Sequence, residues 1–434
     1  METQFTEKEL GECLELVIDH RGKTPKKLGA DWVDSGIPTI SAKNVNGGRL
    51  VATDDIRHVS HDVYKRWMKK DVKRGDCLLV SEGATLGECM MWDYDYPIVL
   101  GQRIFCLRAN PSVLYPRYLY AYMTSASFQS EIIGRATGTS VDGLRQTEVL
   151  KLKLRLPPLA QQRHIGDTLY NLDKKIEFNR RMNATLEAMA RALFQSWFVD
   201  FDPIRTKLDG RPPAALDPAT AALFPEHLED SKLGHIPRGW EVKTIESLCD
   251  VITSGGTPAR MHKAYWEPAT VPWFKTGELM DGPLIDAEER ISEDGLANSS
   301  CKLWPAGTIL FALYASPTVG RFGVLTKPGT ANQAAAALIA KPAYGVPFLM
   351  GLLYEARAEL QRVAVGAAQQ NINQGVLKSH VVIAPPPALA KAYSDKVAPW
   401  FDQRTKLAEQ SRTLATLRDT LLPKLLSGEV TIRN

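Results

Sequence analysis

The sequence predicts an α/β (α+β) protein of two similar globules joined by two long antiparallel coiled-coil helices, with pseudo-two-fold symmetry. Three observations carry this expectation. The same order of features occurs twice along the 434 residues. Each occurrence ends in a proline step followed by a heptad pattern of apolar residues. Hydrophobic residues make up 44 % of the chain and charged residues 24 %, enough to bury a core in each half.

The repeat is traced element by element. Cys13-Leu-Glu-Leu-Val-Ile and then Gly-Lys-Thr-Pro25 return as Cys249-Asp-Val-Ile and then Gly-Gly-Thr-Pro258. Ile37-Pro-Thr-Ile and Val271-Pro-Trp-Phe are short apolar strand signals entered through proline. Lys73-Arg-Gly-Asp-Cys-Leu-Leu-Val and Pro305-Ala-Gly-Thr-Ile-Leu-Phe each place a glycine turn before a buried strand. The following loops correspond too: Ser81 to Gly87 with Ala315 to Gly320, Gly101-Gln102-Arg103 with Asn332-Gln333, and Ala136 to Ser140 with Val365 to Asn371. Leu152-Lys-Leu-Arg-Leu-Pro-Pro-Leu159 answers Val381-Val-Ile-Ala-Pro-Pro-Pro387. An offset of roughly 230 residues is far too long for a solenoid repeat and implies two whole domains of one fold. Helical stretches are expected at Tyr115–Ile133 and Val346–Val363.

After Pro157-Pro158, Ile165, Leu169, Leu172, Ile176, Leu186, Ala190, Leu193 and Trp197 recur at alternating steps of four and three, with Asn179 and Asn183 in the slots between. Such a seam seeks another helix, and an Asn in it fixes register at a cost in stability. A helix of about 40 residues is on the order of 60 Å long. The second seam runs Val397, Trp400, Leu407, Leu414, Leu417, Leu421 and Leu425, interrupted by Arg404, Ser411 and Arg418, and Pro423 implies a kink or break in its last turns. The simplest partner for each helix is the other. The expected boundaries are 1–158 for the first globule, 159–201 for the central helix, 202–239 for a Pro/Ala/Gly-rich connection, 240–387 for the second globule and 388–434 for the distal helix and tail.

Composition narrows the function. A net charge of +4 permits nucleic-acid binding without demanding it. The six cysteines form no CxxC pair and read as reduced, mostly buried thiols of a cytoplasmic protein. No apolar run of about 18 residues suggests a membrane span, and the acidic start METQFTEKEL is no signal peptide. The chain carries no phosphate-binding Gly-x-x-x-x-Gly-Lys loop, no dinucleotide glycine fingerprint, no Asn-Pro-Pro-[Tyr/Phe] of amino-methyltransferases and no His-Glu-x-x-His zinc signature. An enzyme of its own is therefore not expected, and neither catalytic nor metal-ligating residues are assigned.

The local wording carries a family resemblance. Leu156-Pro-Pro-Leu-Ala-Gln-Gln-Arg163 is similar to the junction into the central helix of type I restriction–modification specificity subunits. Asn183 to Asp202 resembles that family's central conserved region, and Leu414 to Val430, with Leu-Leu-Pro-Lys-Leu-Leu-Ser-Gly-Glu, resembles its distal one. The distal junction departs from the pattern: Pro385-Pro-Pro-Ala-Leu-Ala lacks the Gln-Gln-Arg of the first copy.

The resemblance implies a non-catalytic subunit whose two globules are target-recognition domains reading a bipartite site in double-stranded DNA with a fixed unread spacer. It implies two methyltransferase (M) subunits and restriction/motor (R) subunits as partners, with S-adenosylmethionine, ATP and Mg held by those chains and no membrane involved. The alternative is a coiled-coil scaffold that binds only proteins.

The candidate DNA-binding residues lie in the matching loops. In the first globule they are Lys43, Asn44, Ser81, Glu82, Thr85, Gln102, Arg103, Thr137, Thr139, Ser140 and Arg145. In the second they are Lys275, Thr276, Tyr314, Ser316, Thr318, Arg321, Gln333, Gln369, Gln370, Asn371 and Asn373. Gln and Asn can bond adenine bidentately, Arg guanine, and Glu the cytosine amino group. Ser, Thr and backbone amides suit phosphates. Tyr64 to Lys70 offers a basic-aromatic stretch in which Trp67 and Met68 could equally be core.

Overall fold

The computed structural model describes residues 5–136, 143–213, 216–314, 317–365 and 371–431. The chain divides into two compact units. One comprises Met1–Ile176 with Thr413–Asn434, and the other Glu177–Arg412.

In the first unit a four-stranded sheet runs in the order Leu14–Asp19, Ile104–Ala109, Cys77–Val80, Cys89–Met91, all antiparallel. Side chains alternate between its faces, and both faces are covered. Cys77, Leu79, Phe105 and Leu107 pack with Tyr118, Leu119 and Phe128 on one side. Leu78, Val80, Ile104 and Cys106 pack with Trp67, Trp92 and Val99 on the other. This is why Cys77-Leu-Leu-Val80 reads as a continuous apolar run rather than an alternation. Trp67 and Met68 belong to that second core. A three-stranded sheet places Ile37–Ile40 between His58–Val59 and Val99–Leu100, the last pair parallel. Thr6–Glu9 pairs with Lys153–Leu156. The helical stretch expected over 115–133 is two helices, Pro116–Met123 and Ala126–Arg135, because the Ser125 hydroxyl accepts from Phe128 N and caps a new helix start.

The second unit repeats the plan. Its main sheet runs Cys249–Ser254, Ala335–Ala340, Ile309–Ala312, Phe322–Leu325, and adds Gly282–Leu284 parallel to the last strand. Val271–Phe274 lies between Glu289–Ile291 and a parallel Thr330–Ala331. Glu241–Thr244 pairs with Val381–Ala384. Even a bulge is repeated. Leu14 and Leu16 face Ala109 and Arg108, skipping Glu15, while Cys249 and Val251 face Ala340 and Ile339, skipping Asp250. The helix expected from Val346 is one element, Val346–Val365.

Segment 202–239, expected as a connection, is not loose chain. It forms the helices Asp202–Leu208 and Pro218–Ala222 and a hairpin pairing Leu228–Ser231 with Gly234–Pro237. Its Ile204, Phe224 and Ile236 enter the core of the second unit.

The central helix spans Leu159–Phe194 and passes into a π turn, Gln195–Val199; the distal helix spans Pro387–Ser427. Within the second unit they run antiparallel. Asn179 Nδ2 donates to Gln410 Oε1 (2.8 Å), Glu187 accepts from Arg404 (2.8 Å), and Tyr393 Oη donates to the Ala190 carbonyl (2.9 Å). Within the first unit Ile165 and Leu169 share a core with Leu425, and Arg418 pairs with Asp173 at 2.6 Å. Along the seams Ile165, Leu169, Ile176, Asn179, Trp197, Val397 and Leu407 are buried, and Leu172, Asn183, Leu186, Leu193, Leu414 and Leu421 are half-buried. Two expectations fail. Leu417 is 45 % exposed and lies off the seam. The distal helix also continues through Pro423 to Ser427, so the proline does not break it. Proline removes one ladder hydrogen bond, and Leu425 and Leu426, buried in the first unit's core, hold the chain on helical course beyond it.

Candidate nucleic-acid interface

In each unit the loops singled out in the sequence are tied together by the same backbone bonds. In the first, Ser81 N donates to Arg103 O (2.9 Å), Leu144 N to Ser81 O (2.8 Å) and Gly101 N to Ile40 O (2.7 Å). In the second, Leu313 N donates to Ala334 O (2.8 Å), Ile372 N to Leu313 O (2.9 Å) and Asn332 N to Phe274 O (3.0 Å). One strand edge thus gathers four loops in each copy. The second copy achieves this with Gly255 pressed against its neighbour: a Cβ there would stand 2.2 Å from the Ala331 carbonyl oxygen.

On the first edge, Glu82 lies between two guanidiniums, 3.4 Å from Arg103 Nε and 3.8 Å from Arg21 Nη1. Arg103 is exposed and adopts a left-handed φ of 62°, a conformation that costs a non-glycine residue about 1 kcal/mol or more. Gln102 is exposed, and its carbonyl accepts from Ala42 N at 3.2 Å. Lys43 is exposed beside Asp55, 3.6 Å away. Thr85 is half-buried in the turn after Glu82, and Arg145 is exposed at the start of the helix Gln146–Leu150.

Two first-edge candidates are corrected. Asn44 is 0 % exposed. Its Oδ1 accepts from Ser41 N (3.1 Å) and Oγ (3.0 Å), and its Nδ2 donates to the Val51 and Ala52 carbonyls. The amide closes its own 3₁₀ turn and cannot meet a base edge. Ser81 is likewise fully buried and contributes backbone only. Thr137, Thr139 and Ser140 lie outside the described residues.

Arg21 is the residue that motif reading missed. Its Nε and Nη2 hold both oxygens of Asp19 (2.9 and 2.8 Å), its Nη1 donates to Leu144 O (3.0 Å), and the guanidinium lies 4.3 Å over the Phe105 ring. The available signal was its place just before Gly22 and Thr24-Pro25, at the end of a repeated strand.

On the second edge, Gln333 is exposed and accepts from the Thr257 hydroxyl. Asn373 is exposed but caps the helix Gln374–Ser379, accepting from Val376 N at 2.8 Å. Asn371 is half-buried, as are Tyr314, Thr318 and Arg321. Arg321 Nη1 approaches Met280 Sδ at 3.6 Å, and the Thr318 hydroxyl donates to Tyr314 O. Thr276 is buried, so its hydroxyl is withdrawn from any ligand. Ser316, Gln369 and Gln370 lie outside the described residues.

Lys275 bridges Glu288 (2.9 Å) and Glu289 (3.2 Å), and these two hydrogen bonds raise its pKa. Arg260, a second missed residue, pairs with Glu289 and stacks 3.8 Å over Trp266. Its hydrogen bond is the main cause that holds the Glu289 carboxyl below the usual glutamate range.

Both edges offer hydrogen-bond donors and acceptors. Among the described residues no group of three or more His, Cys, Asp or Glu could hold a metal ion. All six cysteines are buried free thiols. No helix of the described residues is long and apolar enough to cross a membrane.

The comparisons with known proteins agree with this arrangement. A family profile described as the type I restriction modification DNA specificity domain matches residues 2–188 and 237–398. The chain is 27 % identical over 407 residues to the type I restriction enzyme HindI specificity subunit of Haemophilus influenzae, covering 83 % of this chain and 88 % of that one. It is 24 % identical over 417 residues to the MjaIX specificity subunit of Methanocaldococcus jannaschii, covering 95 % and 90 %. A solved type I S subunit from M. genitalium has a similar fold, with a TM-score of 0.60 at 15 % identity over 98 % of this chain and 96 % of that one. The matched profile spans both units, and the chain belongs to the family of type I restriction–modification DNA specificity subunits.

Proposed function

We propose that this specificity subunit reads a bipartite target in double-stranded DNA, one half-site per unit, separated by a fixed unread spacer. The observation that carries the reading is the duplicated loop frame. Identical backbone ties present Glu82, Gln102 and Arg103 in one unit and Gln333 with Arg321 in the other. A fixed frame with different side chains is what two readers of different sequences require, since base edges are distinguished by donor–acceptor pattern. The subunit is non-catalytic. Two methyltransferase subunits and the motor–restriction subunits assemble with it in the cytoplasm, and S-adenosylmethionine, ATP and Mg belong to those chains.

Covalent linkage supports such a reading energetically, because engagement of one half-site makes the second nearly intramolecular. The test is a map of methylated bases in DNA from cells expressing this chain with its methyltransferase partner. The expected result is a two-part motif with constant spacing that disappears when this chain is omitted. Methylation unaffected by its omission would leave a protein-binding scaffold instead.

A further inference from the structure

Thr24-Pro25 and Thr257-Pro258 hold the same place in the repeated frame, and three residues beyond each proline stands an apolar side chain, Leu28 or Met261. The two are treated in opposite ways. Leu28 ends a 3₁₀ turn, packs against the core around Trp67 and Val63, and has its carbonyl held by Arg66 at 2.8 Å. Met261 is 94 % exposed, more than any other large hydrophobic side chain among the described residues.

The turn bearing Met261 is braced. Arg260 lies 3.8 Å over Trp266 and 5.0 Å over Trp273, and those two indoles meet edge to face at 5.3 Å. Trp266 Nε1 donates to Ala259 O (3.3 Å), His262 N to Ala259 O (3.1 Å) and Tyr265 N to His262 O (2.9 Å). An apolar tip therefore stands on a fixed base. It is flanked by His262 and Lys263 and lies four residues beyond Thr257, which is bonded to Gln333 on the candidate reading edge.

We infer that Met261 is a wedge that enters the base stack of the bound duplex at or beside the second half-site. The inference rests on the reading that this chain binds DNA. Apolar side chains, methionine among them, unstack base steps and kink a duplex, and the thioether's flexibility suits an irregular gap between bases. Lys263, two residues on, supplies a cation for the phosphates beside such a step. Because pyrimidine–purine steps unstack most easily, the wedge adds sequence preference where no hydrogen bond is made. The half-buried Leu28, packed against its own core, leaves the first unit without this device.

The experiment uses the assembled methyltransferase complex and duplexes carrying the mapped target, with 2-aminopurine walked through the second half-site and its flank. A several-fold rise in fluorescence is expected at one step. The rise should be lost in Met261→Ala, kept in Met261→Leu, and unaffected by Leu28→Ala. Specific binding with an unchanged signal in Met261→Ala overturns the wedge and leaves DNA recognition intact. Weakened assembly of Met261→Ala with the methyltransferase, at constant fluorescence, also overturns it and assigns the turn to a protein partner. Absence of specific binding by the unaltered complex would instead remove the DNA reading itself.

Discussion

At the first unit's edge two guanidiniums and two carboxylates are already paired with one another: Arg21 with Asp19, and Glu82 with Arg21 and Arg103. At the second unit's edge the central exposed side chain is a neutral amide, Gln333, and the charged groups Arg260, Lys275, Glu288 and Glu289 form a separate paired cluster. The strand order, the parallel pair and the bulge are common to both. The frame thus decides where the loops stand, while their chemistry varies freely. On the proposed reading, binding at the first edge exchanges ion-pair partners, Glu82 releasing a guanidinium before a base takes it. On the same reading, binding at the second exchanges a neutral hydrogen bond, the one Gln333 accepts from the Thr257 hydroxyl. Because salt screens the intramolecular pairs that have to open, it partly offsets its own weakening of phosphate contacts, and the first half-site should show the shallower dependence on salt.

The units also differ in how they grip the helix that follows. In the first, Gln162 reaches back to accept from Tyr115 N (2.9 Å) and donate to the Val113 and Pro157 carbonyls, and Gly166 allows a close crossing, a Cβ there standing 2.6 Å from Tyr118 N. In the second the junction Pro385-Pro-Pro-Ala-Leu-Ala390 carries no glutamine. Ser394 donates to Tyr344 O (2.8 Å) and accepts from Phe348 N (3.3 Å). Aromatic packing carries the rest, with Phe194 4.9 Å from Phe198 and 5.6 Å from both Phe348 and Tyr393. The largest expected effect follows from that packing. Phe194→Ala should destabilise the second unit by about 3–5 kcal/mol. Hydrogen exchange should then show residues 177–412 opening well before the first unit. Equal loss of protection in both units would mean that the two do not fold as separate cooperative blocks.

A smaller effect is expected at the charged edge. Arg21→Ala removes three side-chain hydrogen bonds and leaves Asp19 and Glu82 without that cation. Hydrogen bonds to charged groups contribute about 1.5–3 kcal/mol to the fold, so the first edge should loosen by that order and binding of the first half-site should weaken. Titrations with duplexes altered in one half-site should place the lost discrimination in the first half alone. Loss shared by both halves would break the comparison of two independent readers.

Much of the architecture was legible because it repeats. Proline entries, glycine turns and Cys-led strands at matching places identify two copies, and a seam with Asn179 and Asn183 between apolar residues identifies paired helices. What stayed hidden is tertiary. Asn44 is of the residue type that reads bases, but its amide accepts from Ser41 N and donates to the Val51 carbonyl, so the turn consumes the side chain. Arg404 looked like a break in the seam. Instead it is 5 % exposed, bonded to Glu187 and the Asp281 carbonyl. Arg21 stood out only by its place at the end of a repeated strand, and one basic residue there is ordinary until the fold brings Leu144 and Glu82 to it.

The smallest effects separate reading from positioning. Gln333→Ala should cost about 1–3 kcal/mol at one base pair of the second half-site, with the Thr257 hydroxyl left to water. Lys43→Ala removes an exposed cation whose present partner, Asp55, is itself largely exposed, so little fold stability is at stake. If Lys43 meets a phosphate, its removal weakens all sequences alike and lowers the salt slope by about one unit. The two variants therefore differ in kind, not only in size. Gln333→Ala changes which duplex is preferred at constant salt slope, and Lys43→Ala changes the salt slope at constant preference. A salt-independent loss confined to one sequence in Lys43→Ala would move that lysine from the backbone to a base edge. The first edge would then read with a cation where the second reads with an amide.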